Sequence, residues 1–220
     1  MHDRQLIQAW LPDHVHMAWR GDDIIVLDTR DDAYSCLIGA AGHVQPADRA
    51  DAVLAHPEIL EELKQAGLVT LRSPSAARAS CRTPTKTLSP CPRTRASDAM
   101  AVALNAINGG LTFRGRSFAE LIAPIPPRQV ASPDSPDAAH HLRRQVSAFC
   151  TLLPWLPFQG QCLHRAFMLR RLLAGRGLHV DWVFGVRTWP FMAHCWLQAD
   201  DILLADDLDR VLGFTPILVA

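Results

Sequence analysis

From Ser73 to Ser97 the chain reads SPSAARASCRTPTKTLSPCPRTRAS, rich in Ser, Thr, Pro and Arg, with no acidic residue and no apolar periodicity. A stretch of this kind cannot bury enough apolar surface to offset its ordering entropy, and it reads as a flexible interdomain linker. It therefore divides the 220 residues into two modules, 1–72 and 98–220, each of which must build its own core. Charge supports the division. Residues 1–72 carry 6 Lys and Arg against 12 Asp and Glu, residues 73–150 carry 10 against 4, and residues 151–220 carry 6 against 6. The basic middle lacks aromatic interleaving and any nucleic-acid motif, so no nucleic-acid partner is expected.

With 49% hydrophobic and 20% charged residues the composition is that of a globular protein. No apolar run approaches a membrane span, and no membrane partner is expected. The N-terminal MHDRQLIQAWLPDHVHMAW lacks the basic start, apolar stretch and small-residue cleavage site of a signal peptide, so the expectation is a cytoplasmic protein with reduced thiols. The six cysteines (Cys36, Cys81, Cys91, Cys150, Cys162, Cys195) form no CxxC pair and are not a disulfide framework. Cys81 and Cys91 have no ligand-type neighbours, no phosphate loop is visible, and neither a metal nor a cofactor is expected.

In the first module HVHMAWR (14–20), DIIVLD (23–28) and AYSCLI (33–38) read as three strands joined at Gly21-Asp22 and at the polar turn TRDD. Ala47 to Ala55 reads as a short helix. Pro57 suits a helix start, EILEELKQ places Ile59, Leu60 and Leu63 on one face, and Gly67 ends that helix. The second module begins with helices. Ser97 is a candidate N-cap for DAMAVALNAIN, ended by Gly109-Gly110. Ser117 to Ile125 reads as a second helix, and Ser135-Pro136 opens a third that runs to about Leu153. Another starts at Cys162. After Gly177 the pattern turns extended, as HVDWVFGVR, AHCWLQ and DILLAD, with a turn at Asp200-Asp201. The whole is an α+β protein.

Cys162 holds the chemical interest. It follows the loop sequence Phe158-Gln159-Gly160-Gln161 and opens a helix on which Cys162, Ala166, Leu169 and Leu173 share a face, with the arginines elsewhere around it. A thiol in a first helical turn meets the positive end of the dipole and unpaired N–H groups, which favour thiolate and can hold an oxyanion. Such a nucleophile needs a base and the base an orienter. His194 starts one strand and Asp206 ends the next, and the intervening turn sets those strands side by side. Asp207 and Asp209 compete with Asp206 for the orienting role. His164, two residues from Cys162 on a helix, points away. Cys195 falls on the opposite face of its strand from His194 and reads as packing. A zinc site from Cys162, His164, His194 and Cys195 would have CxH and HC spacings foreign to structural zinc. A buried, purely structural cysteine is the bland alternative.

The segment CLHRAFMLRRLLAGRGLHVDWVFGVRTWPFMAHCWLQADDILLADD resembles the transglutaminase-like cysteine proteases of lasso peptide biosynthesis, the B proteins. It has their Cys-Leu-x-Arg helix start (Cys162-Leu163-His164-Arg165), Arg176-Gly177, a Gly-Val-Arg strand (Gly185 to Arg187) and an Ala-His-x-Trp strand (Ala193 to Trp196). The resemblance implies a papain/transglutaminase-like fold for 98–220 and a catalytic triad of Cys162, His194 and Asp206. Cys195 stands where many relatives have a small residue. DIIVLDTRDDAYSCL resembles the family's PqqD-like recognition element, a small winged module of three strands plus helices. There a precursor's leader peptide adds to the third strand beside the last helix. The resemblance thus places leader binding between Ala33, Tyr34, Ser35, Cys36 and Leu37 on one side and the helix Glu58–Gln65, with Ile59 and Leu63, on the other. An acidic module with an exposed strand edge is independently suited to strand addition.

The implied activity is that of a leader peptidase, which binds a ribosomal precursor peptide by its leader and hydrolyses the bond between leader and core. An asparagine synthetase-like cyclase is the implied partner. Two other classes remain open. A non-catalytic peptide-binding scaffold would leave Cys162 and His194 as core residues, and an acyl transferase of transglutaminase type would use the same triad with an amine as acceptor.

Overall fold

The computed structural model describes residues 6–74, 78–91, 94–125, 136–156 and 162–220. The chain divides into two compact units. One comprises residues 1–80 with 186–192 and 215–219; the other comprises 81–185 with 193–214 and 220.

The first unit is built on two three-stranded sheets. Strands β1 (Ile7–Trp10), β2 (Val15–Arg20), β3 (Asp23–Asp28) and β4 (Ala33–Leu37) come first, then β5 (Val44–Pro46), β6 (Ala52–Ala55) and helix α1 (Pro57–Gln65). β2, β3 and β4 form an antiparallel meander with β3 central. Gly21, with φ +61°, turns β2 into β3. The pleat sorts the side chains. Ile24 and Val26 pair with Trp19, Met17, Leu37 and Ser35 on one face, while Ile25 and Leu27 pair with Ala18, His16, Cys36 and Tyr34 on the other. The first face joins Val15, Val44, Val53, Leu60 and Leu63 in the core. β4 lies at the edge of its sheet.

Residues 47–55 are not the helix expected. Ala52–Ala55 is a strand paired with Ile7–Trp10 on one side and Val44–Pro46 on the other. Four small or branched residues between two strand partners gain more from the ladder than a single helical turn would give. Asp51, 1% exposed, precedes it and accepts two hydrogen bonds from Arg49 at 2.9 and 2.6 Å. α1 starts with Pro57 in its first turn, presents Leu60 and Leu63 to the core, and is followed by Gly67 at φ +71°.

The flexible linker expected over 73–97 contains fixed points. Arg78 belongs to the first unit and donates to the carbonyls of Val15, Leu11 and Pro12 at 2.6, 3.3 and 2.5 Å. Within the second unit, β7 (Lys86–Thr87) pairs in parallel with a later strand. Cys91 N donates to Ser147 Oγ at 2.6 Å. Low apolar content hides these segments because they are held by hydrogen bonds rather than by burial.

After β7 come α2 (Ala96–Phe113), α3 (Phe118–Ile122), α4 (Pro136–Leu152) and α5 (Cys162–Ala174), then β8 (Asp181–Arg187), β9 (Met192–Ala199), β10 (Ile202–Leu204) and α6 (Leu208–Leu212), and last β11 (Thr215–Val219), whose residues belong to the first unit. The sheet order is β11-β8-β9-β10-β7. α2 does not stop at Gly109-Gly110 but runs through them. A Cβ at Gly109 would overlap the Met168 side chain, so the glycine allows α2 and α5 to approach closely, at the helix-propensity cost of Gly. Asn105 Nδ2 donates to Met168 O at 2.8 Å across the same contact. α2 and α4 are joined by Arg144 and Gln145, which hold the buried Asp98 at 2.8 to 3.1 Å. α3 is shorter than expected and carries a capping box between Ser117 and Glu120. The Ser135 cap and the loop at Phe158–Gln161 lie outside the described residues.

Arg170 is not solvated as its polarity suggests. It is 8% exposed, and its guanidinium lies over the Trp182 ring at 5.3 Å. Six helices and three sheets, with the helices and strands largely segregated along the chain, make it an α+β protein among the described residues. Among the described residues no helix is long and apolar enough to cross a membrane.

Candidate active site

Helix α5 begins at Cys162, so the thiol sits in the turn whose N–H groups have no helical partner. β9 carries His194 and Cys195 past it. β10 ends at Leu204, and the chain reverses at Ala205, whose φ of +55° is unusual for a residue with a Cβ. That reversal delivers Asp206. The structure thereby brings Cys162, His194 and Asp206 together in the second unit.

His194 Nε2 lies 2.9 Å from Asp206 Oδ2. This leaves Nδ1 as the ring nitrogen for Cys162, with which His194 is hydrogen-bonded. His194 is 8% exposed, packed 5.4 Å from the Phe214 ring and 6.2 Å from that of Trp196. Asp206 is anchored at both oxygens. Oδ1 accepts from Asp207 N at 2.8 Å, and Oδ2 accepts from Arg165 Nη2 at 2.9 Å. Its side chain is 4% exposed.

The electrostatics follow from these contacts. Hydrogen bonds from the Cys195 side chain and from His194 pull the Cys162 thiol down to about 4, against the opposing effect of burial. For His194, burial disfavours the charged ring, but the bonds to Asp206 and Cys162 outweigh it and hold the imidazole up to about 9. Burial likewise opposes ionisation of Asp206, and the His194 bond overcomes it, keeping the carboxyl below its ordinary value. The resting arrangement between those limits is a thiolate beside an imidazolium, with a carboxylate behind it. A thiolate can attack a carbonyl, and an imidazolium can supply a proton to a leaving amine.

Cys195 is not mere packing. Its side chain and its backbone both hydrogen-bond Cys162 and lower the pKa of that thiol. Its own thiol is pushed up by that bond and by burial, so it stays a protonated donor. Arg165 also escapes a reading for chemistry; its signal is its place three residues after Cys162, on the adjoining part of the helix.

Other candidates have separate work. Asp207 caps α6 by accepting from Arg210 N, and Asp209 is exposed in that helix. His164 stacks on Phe113 with centroids 4.3 Å apart. Of the residues expected to bind a leader peptide, Ala33 to Leu37 form the edge strand β4 in the first unit, with Ala33, Ser35 and Cys36 exposed. Leu63 is 5% exposed and belongs to the core, which corrects its placement in a groove; Ile59 is only partly buried. The helix places Leu60 and Leu63 one turn apart on its inner face, and Ile59 at the margin.

Residues 104–219 match the model of the transglutaminase-like superfamily. Among characterised proteins, the chain is similar to the microcin J25-processing protein McjB of Escherichia coli, 30% identical over 67 residues. The match covers 30% of this chain and 32% of that protein, so it spans about a third of each. No solved structure matches the chain.

Proposed function

The chain belongs to the transglutaminase-like superfamily, and we propose that it is the leader peptidase of a lasso peptide pathway. The observation that carries the reading is the assembly of a half-buried Cys162 with His194 and Asp206, whose bond to one another is 2.9 Å, in surroundings that lower the thiol's pKa to about 4. Similarity to a peptide-processing protein supports the substrate class.

In this reading Cys162 Sγ attacks the carbonyl carbon that joins leader to core. The N–H groups at the start of α5 donate to the developing oxyanion. His194 gives its proton to the departing amine, which leaves as the free N-terminus of the core. The leader remains as a thioester on Cys162. His194 then takes a proton from water, hydroxide attacks the thioester, and the thiolate returns. Asp206 holds the ring orientation throughout. A cyclase that resembles asparagine synthetase would take the released core.

The first unit is assigned to leader recognition as a PqqD-like module. Among the described residues β4 is the last strand of its sheet, and in this reading an extended peptide adds to it as a fourth strand beside α1. Holding the leader raises the effective concentration of the scissile bond at the thiol.

The test is mass spectrometry of the precursor incubated with the protein. Two fragments whose masses sum to the precursor plus one water are expected. A leader joined to an added amine would instead indicate acyl transfer, and an intact precursor with tight binding would indicate a scaffold.

A further inference from the structure

The first unit has a groove on the face of its meander that α1 does not cover. It is about 120 Å³ in volume, and its lining includes Ile25, Tyr34, Ser35, Cys36, Trp189 and Phe191. All of these residues belong to the first unit. Ile25 stands directly across from Cys36 in the β3–β4 ladder, and Tyr34 is the next residue on that face. Ser35 points to the opposite face by alternation and so borders the groove through its main chain. The groove therefore opens along β4, the edge strand.

Its wall is preorganised. Trp189 is 74% exposed, an unusual position for an indole, and its backbone has φ +52°. The ring is nevertheless fixed, because Nε1 donates to Asp23 Oδ2 at 3.0 Å. Asp23 is buried, and its other oxygen accepts from Gly39 N at 3.0 Å. Phe191, 48% exposed, packs on Tyr34 with centroids 5.5 Å apart. Exposed aromatics locked in place offer contact area with little further entropy to lose.

We propose that this groove is a second subsite for the peptide bound along β4, and that it takes an aliphatic or aromatic side chain of the leader. The inference rests on the leader-binding reading above and extends it. The occupant is set by the edge. An added strand must be extended, and its side chains alternate in direction. Those of one parity turn toward Leu37 and α1. Those of the other parity turn to the Tyr34 and Cys36 face, where the Trp189–Phe191 wall meets them. The leader is then read on both faces, and apolar residues an odd number of positions apart, one for each face, are its recognition signal.

The test uses the full chain and a fluorescein-labelled synthetic peptide with the leader sequence of its precursor, titrated by anisotropy. Trp189→Ala and Phe191→Ala should each weaken binding about tenfold or more, with circular dichroism unchanged. An alanine scan of the peptide should find one position whose loss is no longer felt in Trp189→Ala, and that position should differ by an odd number from any that couples to Ile59→Ala. Wild-type binding that is unaltered in both aromatic variants overturns the subsite and leaves leader recognition standing. No binding by the wild type overturns leader recognition, and the subsite with it. A Trp189→Phe variant, which keeps an apolar ring but not the bond to Asp23, should lie between wild type and Trp189→Ala; equality with Trp189→Ala also supports a fixed ring as the requirement.

Discussion

Arg165 and His194 converge on one atom, Oδ2 of Asp206, each at 2.9 Å. The guanidinium thus draws on the same lone pairs that orient the imidazole. Arg165→Met should strengthen the His194–Asp206 bond and shift the alkaline limit of activity upward. It should also loosen the carboxylate, with a loss in turnover of about tenfold, the scale of one charge-assisted hydrogen bond. Leader affinity should not change. A pH–rate profile of precursor cleavage, with a parallel binding titration, checks both.

The thiolate is observable without substrate. Alkylation of Cys162 by iodoacetamide should rise through pH about 4 and stay high to neutrality, because below that value the thiol carries its proton. An ordinary thiol would react appreciably only near pH about 8.5. His194→Ala should move the inflection toward that ordinary range, and Cys195→Ala should also move it upward, since each removes a hydrogen bond to the sulfur. Cleavage should fall again above pH about 9, where His194 has no proton for the leaving amine. Rate measurements with mass-spectrometric assignment of the labelled cysteine decide the matter.

Neighbouring aspartates should separate cleanly. Asp206→Asn keeps shape but loses the charge behind His194, and turnover should drop by orders of magnitude in a folded protein. Asp207→Ala removes the α6 cap and should cost about 1 kcal/mol of stability, with cleavage largely retained. Thermal unfolding and cleavage rates of the two variants form the comparison. A dead Asp207→Ala with an active Asp206→Asn would transfer the orienting role.

Gly185 lies under the site. A Cβ there would meet the Trp196 ring at 2.7 and 2.8 Å and Phe214 Cβ at 2.9 Å. Both residues flank His194. Gly185→Ala should therefore destabilise by about 1–3 kcal/mol through overpacking and should lower turnover as well. Denaturant midpoints and initial rates measure the two effects separately.

The parts of this chain legible in its sequence are those with strong periodicity. β2, β3 and β4 alternate or run apolar between turn residues, and α1 has its proline and glycine punctuation. The order of Cys162 at a helix start, His194 on a strand and Asp206 after the next is equally readable, because a turn at Asp200-Asp201, with φ +53° at Asp200, aligns those strands. β1, β5, β6 and β7 are short and have their ladder partners far along the chain, which no local window reveals. The passage of α2 through two glycines depends on Met168 in another helix. The role of Cys195 depends on the distance between α5 and β9, to which strand alternation alone is blind.

β7 has a practical consequence for dividing the protein. Lys86 and Thr87 complete the ladder beside Ile202 and Leu203, and Thr85 Oγ1 donates to Asp201 at 2.6 Å. A C-terminal half begun at residue 98 would discard that strand and leave β10 with a bare row of amide groups, open to the next copy. Begun at residue 81, the same half would keep its own selvedge.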